Sequence, residues 1–196
     1  MAPEEHRNLR CILRYRNLLV REAAKMKTKT ATLLMEVGAE YNKRRLHGSK
    51  YFQELLITLE YVPQSVLNLL QMSRGSMEFF DKMQKSLVSA LRNDPQISQR
   101  VELLRSIRGI GEVTALTWVL EIGDVNRFSR ISQAVSYCGL CSAQKESTGK
   151  EIRGPLSKKR NKHLQTVLIE AAKLAPHWNP QLAVNPVIAQ NMCKNH

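Results

Sequence analysis

Gly109-Ile110-Gly111 is the feature that most constrains what this chain can fold into. Leu103, Leu104 and Ile107 precede it, and Val113, Ala115 and Leu116 follow it, so it separates two apolar stretches of helical spacing. A chain that ends one helix and restarts another within three residues needs backbone angles that a side chain would forbid and glycine allows. The pattern is that of a helix-hairpin-helix. Both glycines are expected at angles that a β-branched residue cannot readily adopt, with the backbone free to approach a partner. The N–H groups that open the second helix lack internal acceptors and form the positive end of its dipole. A phosphate fits such a place without any base being read, which makes Gly109, Ile110 and Gly111 candidate DNA-binding residues. The plainer reading of the same residues is a tight αα-hairpin that only packs.

The remainder reads as almost wholly helical. From His6 to Gly38 runs a long amphipathic segment in which Ile12, Leu19, Met26 and Leu33 recur every seven residues. Ala23, Thr30 and Val37 follow Leu19, Met26 and Leu33 by four, giving a 3-4 seam and a coiled-coil candidate. Gly38 is the expected cap. Arg7, Arg10, Arg14, Arg21 and Lys25 lie at helical spacing on another face, either as a solvated face or as one turned to phosphate. Two more helices are expected over residues 51–72 and 76–92, with Pro63 kinking or starting one of them and Asp94-Pro95 marking a break. Ser147 to Leu156 is the only hairpin candidate. The last helix is expected from Asn161 to Ala175, stopping at Pro176, with Asn161 as its cap. These elements suggest a basic helical linker (1–48), connecting helices (49–98), a C-terminal domain (99–182) and a loose tail (183–196).

Charge points to the partner. The 196 residues hold 30 Lys and Arg against 17 Asp and Glu, a net +13, which favours polyanions and nucleic acid first. No apolar run approaches the roughly 20 residues that span a bilayer, and no signal peptide is visible. Four scattered cysteines do not form a disulfide framework, so a reducing cytoplasm is expected, with association to the nucleoid. Cys138-Gly139-Leu140-Cys141 has zinc or redox spacing but no second pair, and reads better as two small buried residues; no metal ligands are assigned. Asp124, in "EIGD", is the acid expected to matter, as a cap or as the holder of a basic residue.

From Ile107 onward, "IRGIGEVTALTWVLEIGDVNRF", "YCGLCSAQKESTGK" and "RGPLSKKRNKHLQTVLIEAA" follow in an order that resembles the C-terminal domain of the insertion-sequence one-ten/one-sixteen transposase family. The upstream basic segment resembles that family's helical linker. The resemblance runs from about Pro3 to Leu182. It implies a mainly α chain, a long basic linker plus a compact helix-hairpin-helix domain with a small β-hairpin. It also implies DNA strand cleavage and transfer, DNA as partner, and for some members a structured guide RNA. Mg²⁺ is implied only with a nuclease-like carboxylate domain that would precede residue 3, so this chain is expected to be a remnant, a degraded copy or a cut fragment.

By the same resemblance Ser147, in "KESTGK", is the nucleophile that would form a transient phosphoserine link. A free hydroxyl is a weak nucleophile and needs a base or a metal. Without the resemblance, Ser147-Thr148-Gly149 is simply turn chemistry. Lys150, Arg153, Lys158, Lys159, Arg160 and Lys162 flank it as a basic run suited to phosphate contact. Arg160 stands where the family usually has a glycine. The rival readings are a non-catalytic helix-hairpin-helix nucleic-acid-binding protein, and a helical module that pairs with itself or with a full-length transposase through the heptad segment.

Overall fold

The structure is a computed structural model that describes residues 4–147, 150–156 and 160–178. Glu4–Glu36 forms one helix of 33 residues, α1. It ends as the sequence requires. Gly38 takes a φ of +67°, its N–H bonds the carbonyl of Met35 at 3.1 Å, and the N–H of Ala39 bonds that of Leu34 at 2.9 Å. This paired closure satisfies two carbonyls that a helix end otherwise leaves open.

Two further helices follow, Ser49–Thr58 (α2) and Gln64–Arg92 (α3). The break falls at Pro63, whose carbonyl accepts from Val66 and Leu67 as α3 begins. The expected boundary between residues 72 and 76 is absent, because α3 runs straight through Gly75. A helical glycine costs about 1 kcal/mol against alanine, and the burial of Leu70, Ser73 and Met77 around it outweighs that.

The chain packs as two units. One comprises residues 12–89; the other joins residues 1–11 to residues 90 onward. In the first, Leu33, Leu34, Leu46, Phe52, Leu55, Leu59, Val62 and Leu70 form one apolar cluster drawn from α1, α2, α3 and their connections. The heptad seam of α1 is turned inward. Leu19, Ala23, Thr30 and Leu33 are buried within the single chain, and the Thr30 hydroxyl donates to the carbonyl of Met26 at 2.9 Å. Ile12, Met26 and Val37 of the same seam are half-buried.

The second unit contains Ser98–Arg105 (α4), Glu112–Ile122 (α5), a 3₁₀ turn at Val125–Arg127, Ile131–Tyr137 (α6) and Lys162–Trp178 (α7). Between α6 and α7, Ser142–Ser147 (β1) and Lys150–Leu156 (β2) pair antiparallel, with a register irregularity between Ser142 and Gln144. The core lies along α5, where Ala115, Leu116, Val119, Leu120 and Ile122 are all buried. Leu164 of α7 and Cys138 join Ile122, with Trp118, Phe128, Tyr137 and Leu168 around them. Contrary to expectation, α7 does not stop at Pro176. Proline there forfeits one ladder bond in a terminal turn, a smaller loss than in a helix interior. The proposed tail, 183–196, lies outside the described residues.

Candidate functional site

α4 and α5 flank the glycine turn. The N–H of Ile110 bonds the carbonyl of Ile107 at 3.0 Å, and Gly109 sits at φ +90°. Its missing Cβ matters twice, since that atom would also lie 3.3 Å from Cδ1 of Trp178 on α7. The backbone at Gly109 is thus closely approached by a residue of the same chain. Gly111 differs from expectation. It caps α5 in an extended conformation, φ −79° and ψ 166°, with open space where a Cβ would stand. No steric ban applies there. The first helical bond of α5 runs from Ala115 N–H to the Gly111 carbonyl, so the N–H groups of residues 112–114 have no helical acceptor. Glu112 stands in this first turn and pairs with Arg92 at 3.4 Å, which places a carboxylate of the chain at the positive end of the helix.

The other end of α5 carries a polar network that the sequence reading missed. Glu121 is fully buried. Its Oε2 accepts from Asn161 Nδ2 at 2.8 Å and lies 3.9 Å from Arg10 Nε, and its backbone carbonyl accepts from the Tyr137 hydroxyl at 3.2 Å. The neighbouring carbonyl of Leu120 accepts from Arg10 Nε and meets His6 Nε2, both at 2.9 Å. Arg100 reaches the carbonyl of Gly123. Two arginines and an imidazole thus cover the negative end of the helix, where positive charge is favoured. The signal was present: Glu121 is the only charged residue between Val113 and Ile122. Asp124 has the capping role foreseen as one of its two readings, its Oδ1 accepting from Asn126 N–H at 2.9 Å. Beside it opens a cavity of about 850 Å³ lined by His6, Arg10, Arg100, Asp124 and Arg127 among others.

Asn161 ties this network to the hairpin region. Its Oδ1 accepts from the N–H groups of His163 and Leu164, capping α7, and its own N–H bonds the carbonyl of Tyr137 at 3.0 Å. One side chain therefore fixes where the segment leaving β2 becomes helical. Arg127 lies over the rings of Phe128 and Tyr137, 4.5 and 4.3 Å from their centroids, and steadies the same tyrosine.

Cys138-Gly139-Leu140-Cys141 ends a helix. Gly139 takes φ +71°, its N–H bonds the Ser136 carbonyl and that of Leu140 bonds Val135, the same closure seen at Gly38. Cys138 is buried, and burial pushes its thiol pKa up, with Arg127 pulling weakly the other way. Among the described residues no three His, Cys, Asp or Glu side chains gather to hold a metal ion.

Of the basic run, the side chains of Arg160 and Lys162 are described. Arg160 is half-buried and lies over Gly139, where a Cβ would come within 2.4 Å of the arginine Cβ. An arginine stem takes the space that a side chain at 139 would need. Lys162 is exposed on the first turn of α7. Ser147 and Lys150 form the last registered pair of the hairpin, and Arg153 pairs with Gln144. Thr148, Lys158 and Lys159 lie outside the described residues.

The second unit thus sets a helix-turn-helix about the glycine turn beside a β-hairpin and a capped helix, in a chain of net charge +13. Residues 101–184 match the model of the Transposase IS116/IS110/IS902 family. The chain is similar to the transposase for insertion sequence element IS1111A of Coxiella burnetii, 28% identical over 177 residues, covering 86% of this chain and 47% of that protein. It is also similar to a "Probable family 20 transposase" of Pseudomonas aeruginosa, 23% identical over 175 residues, 86% of this chain and 51% of that protein. The chain spans about half the length of these relatives. Among the described residues no helix is long and apolar enough to cross a membrane.

Proposed function

We propose that the chain is the DNA-handling part of an insertion-sequence transposase and that Ser147 is its nucleophile. The family match over residues 101–184 carries this reading. In the proposed step a bond forms between Ser147 Oγ and a DNA phosphorus, and the bond from that phosphorus to one deoxyribose oxygen breaks. The proton released by the hydroxyl balances the one taken up by the leaving alkoxide. Lys150, Arg153, Lys158, Lys159, Arg160 and Lys162 supply positive charge along the same segment. That charge offsets what gathers on the phosphoryl oxygens in the transition state. The Mg²⁺ implied by the family finds no donor set among the described residues.

The test uses the full chain and duplex DNA of an element end. In this DNA a bridging sulfur replaces the 3′ or the 5′ oxygen of the scissile linkage, so the leaving group needs no proton. A covalent protein–DNA band, mapped to residue 147 by mass spectrometry and lost in Ser147→Ala, is the expected result. A band that persists in Ser147→Ala overturns the nucleophile assignment. Tight binding without any band favours the non-catalytic reading.

A further inference from the structure

The solvent face of α1 carries a row of charge that the hairpin chemistry does not use. Arg21, Lys25 and Lys29 follow one another at four-residue intervals, and all three are exposed. Each interval rises about 6 Å along the helix, the order of the spacing between successive phosphates on a strand. Beside them runs a row of small residues, Ala24, Thr28 and Thr32. The two rows line an open groove of about 570 Å³. The threonine hydroxyls are turned back into the helix, Thr28 donating to the carbonyl of Ala24 at 3.2 Å and Thr32 to that of Thr28 at 3.0 Å. Methyl groups therefore floor the groove. Lys25 pairs with Glu22, the only acid between His6 and Met35, a stretch that holds eight Lys and Arg.

We infer that this face is a second nucleic-acid contact, one that takes the phosphodiester backbone of a strand along Arg21, Lys25 and Lys29. The charge row meets the phosphates, and the methyl floor admits sugar edges that a larger side chain would hold off. No side chain is placed to read a base edge, so the contact is indifferent to sequence. The inference rests on reading the chain as a nucleic-acid protein and adds residues of the first unit, none of which belongs to the glycine turn or the hairpin. A solvated face would need neither the small row nor the near absence of acid.

The test measures binding of the full chain to duplex DNA, single-stranded DNA and an RNA hairpin across a salt series. The comparison is between the triple variant Arg21→Gln, Lys25→Gln, Lys29→Gln and a second triple, Lys43→Gln, Lys82→Gln, Lys85→Gln, which removes the same charge from exposed positions elsewhere. Each lost phosphate contact lowers the logarithmic salt slope by about 0.9 on duplex and about 0.7 on single strands. The first triple is expected to lose two to three contacts' worth of slope and roughly ten- to a hundredfold in affinity on the arm it serves, the second far less. Thr28→Leu keeps the charge, fills the floor, and is expected to weaken the same arm. Equal losses in the two triples would reduce the effect to net charge and overturn the surface. So would an unaffected first triple, or Arg21/Lys25/Lys29-dependent capture by phosphatidylserine vesicles in place of nucleic acid. If the unaltered chain binds no nucleic acid at low salt, the functional reading itself fails, and that outcome is distinguishable from the others.

Discussion

Asn161→Ala removes two interactions at once. The cap of α7 disappears, at about 0.5–2 kcal/mol, because the N–H groups of His163 and Leu164 lose their acceptor. The donor to the buried Glu121 carboxylate also disappears, and a hydrogen bond to a charged group contributes about 1.5–3 kcal/mol. Together these predict a loss of roughly 2–5 kcal/mol, and near the middle of that range a fall of about 6–14 °C in melting temperature for a chain of this size. Two companions separate the parts. Asn161→Ser keeps a capping oxygen and loses the amide's contacts with Glu121 and the Tyr137 hydroxyl, so it recovers part of the loss. Asn161→Asp keeps the cap and improves its charge, but sets a second carboxylate against Glu121. It is expected to be at least as unstable as the alanine variant, and Glu121→Gln in the same chain should relieve it. Thermal melts followed by circular dichroism, with chemical denaturation for the free energies, make the comparison. If Asn161→Asp matches the unaltered protein in stability, the Glu121 contact is not what holds α7, and the reasoning fails.

The two glycines of the turn are expected to separate. Gly109→Val should lower both the melting temperature and DNA affinity, while Gly111→Ser, placed at a helix cap in extended backbone, should leave the fold intact or slightly firmer; equal damage from both would refute the assigned angles. Leu19→Glu puts a charge into the interior of the chain's own first unit, so it should unfold that unit, and a variant that keeps its helicity and changes only its sedimentation would return the seam to a partner helix. Cys138 should be the last described cysteine to react with iodoacetamide at pH 8.5, after Cys11 and Cys141. Its thiol pKa is raised in the folded state, so the stabilisation is complete below the ordinary range near 8.5 and is lost as pH climbs through the folded value. Early labelling at Cys138 in the folded protein would contradict its burial.

Signals that act within a few residues were legible in the sequence. Gly38 closes α1, Pro63 and Asp94-Pro95 interrupt the chain, and Asn161 opens α7, each through its own backbone or side chain. Periodicity found the apolar seam of α1 but not what covers it, since a stripe specifies a face and leaves its neighbour open. The passage of α3 through Gly75 was hidden for a related reason: local propensity argued for a stop, and burial at Leu70 and Met77 decided otherwise. At the glycine turn the motif is plain in sequence, but the difference between Gly109 and Gly111 comes from a Trp178 that lies 69 residues further on. The carboxylate at Glu121 could be noticed as a charge in an apolar run, yet its partners Arg10 and Asn161 are brought to it only by the fold.

The contacts of His6 and Arg10 with Leu120 span 114 and 110 residues of chain. At about 5–20 residues per second of synthesis, the opening turns of α1 wait roughly 5–20 seconds on the ribosome before their acceptor exists. Closing so long a loop costs entropy that local helix formation cannot recover. Contacts at this separation slow folding and leave the growing chain exposed. Residues 12–89 can bury their own cluster early. The unit that carries the hairpin can finish only when the nascent chain returns to its own first helix, so translation itself sets the earliest moment at which that unit can be whole.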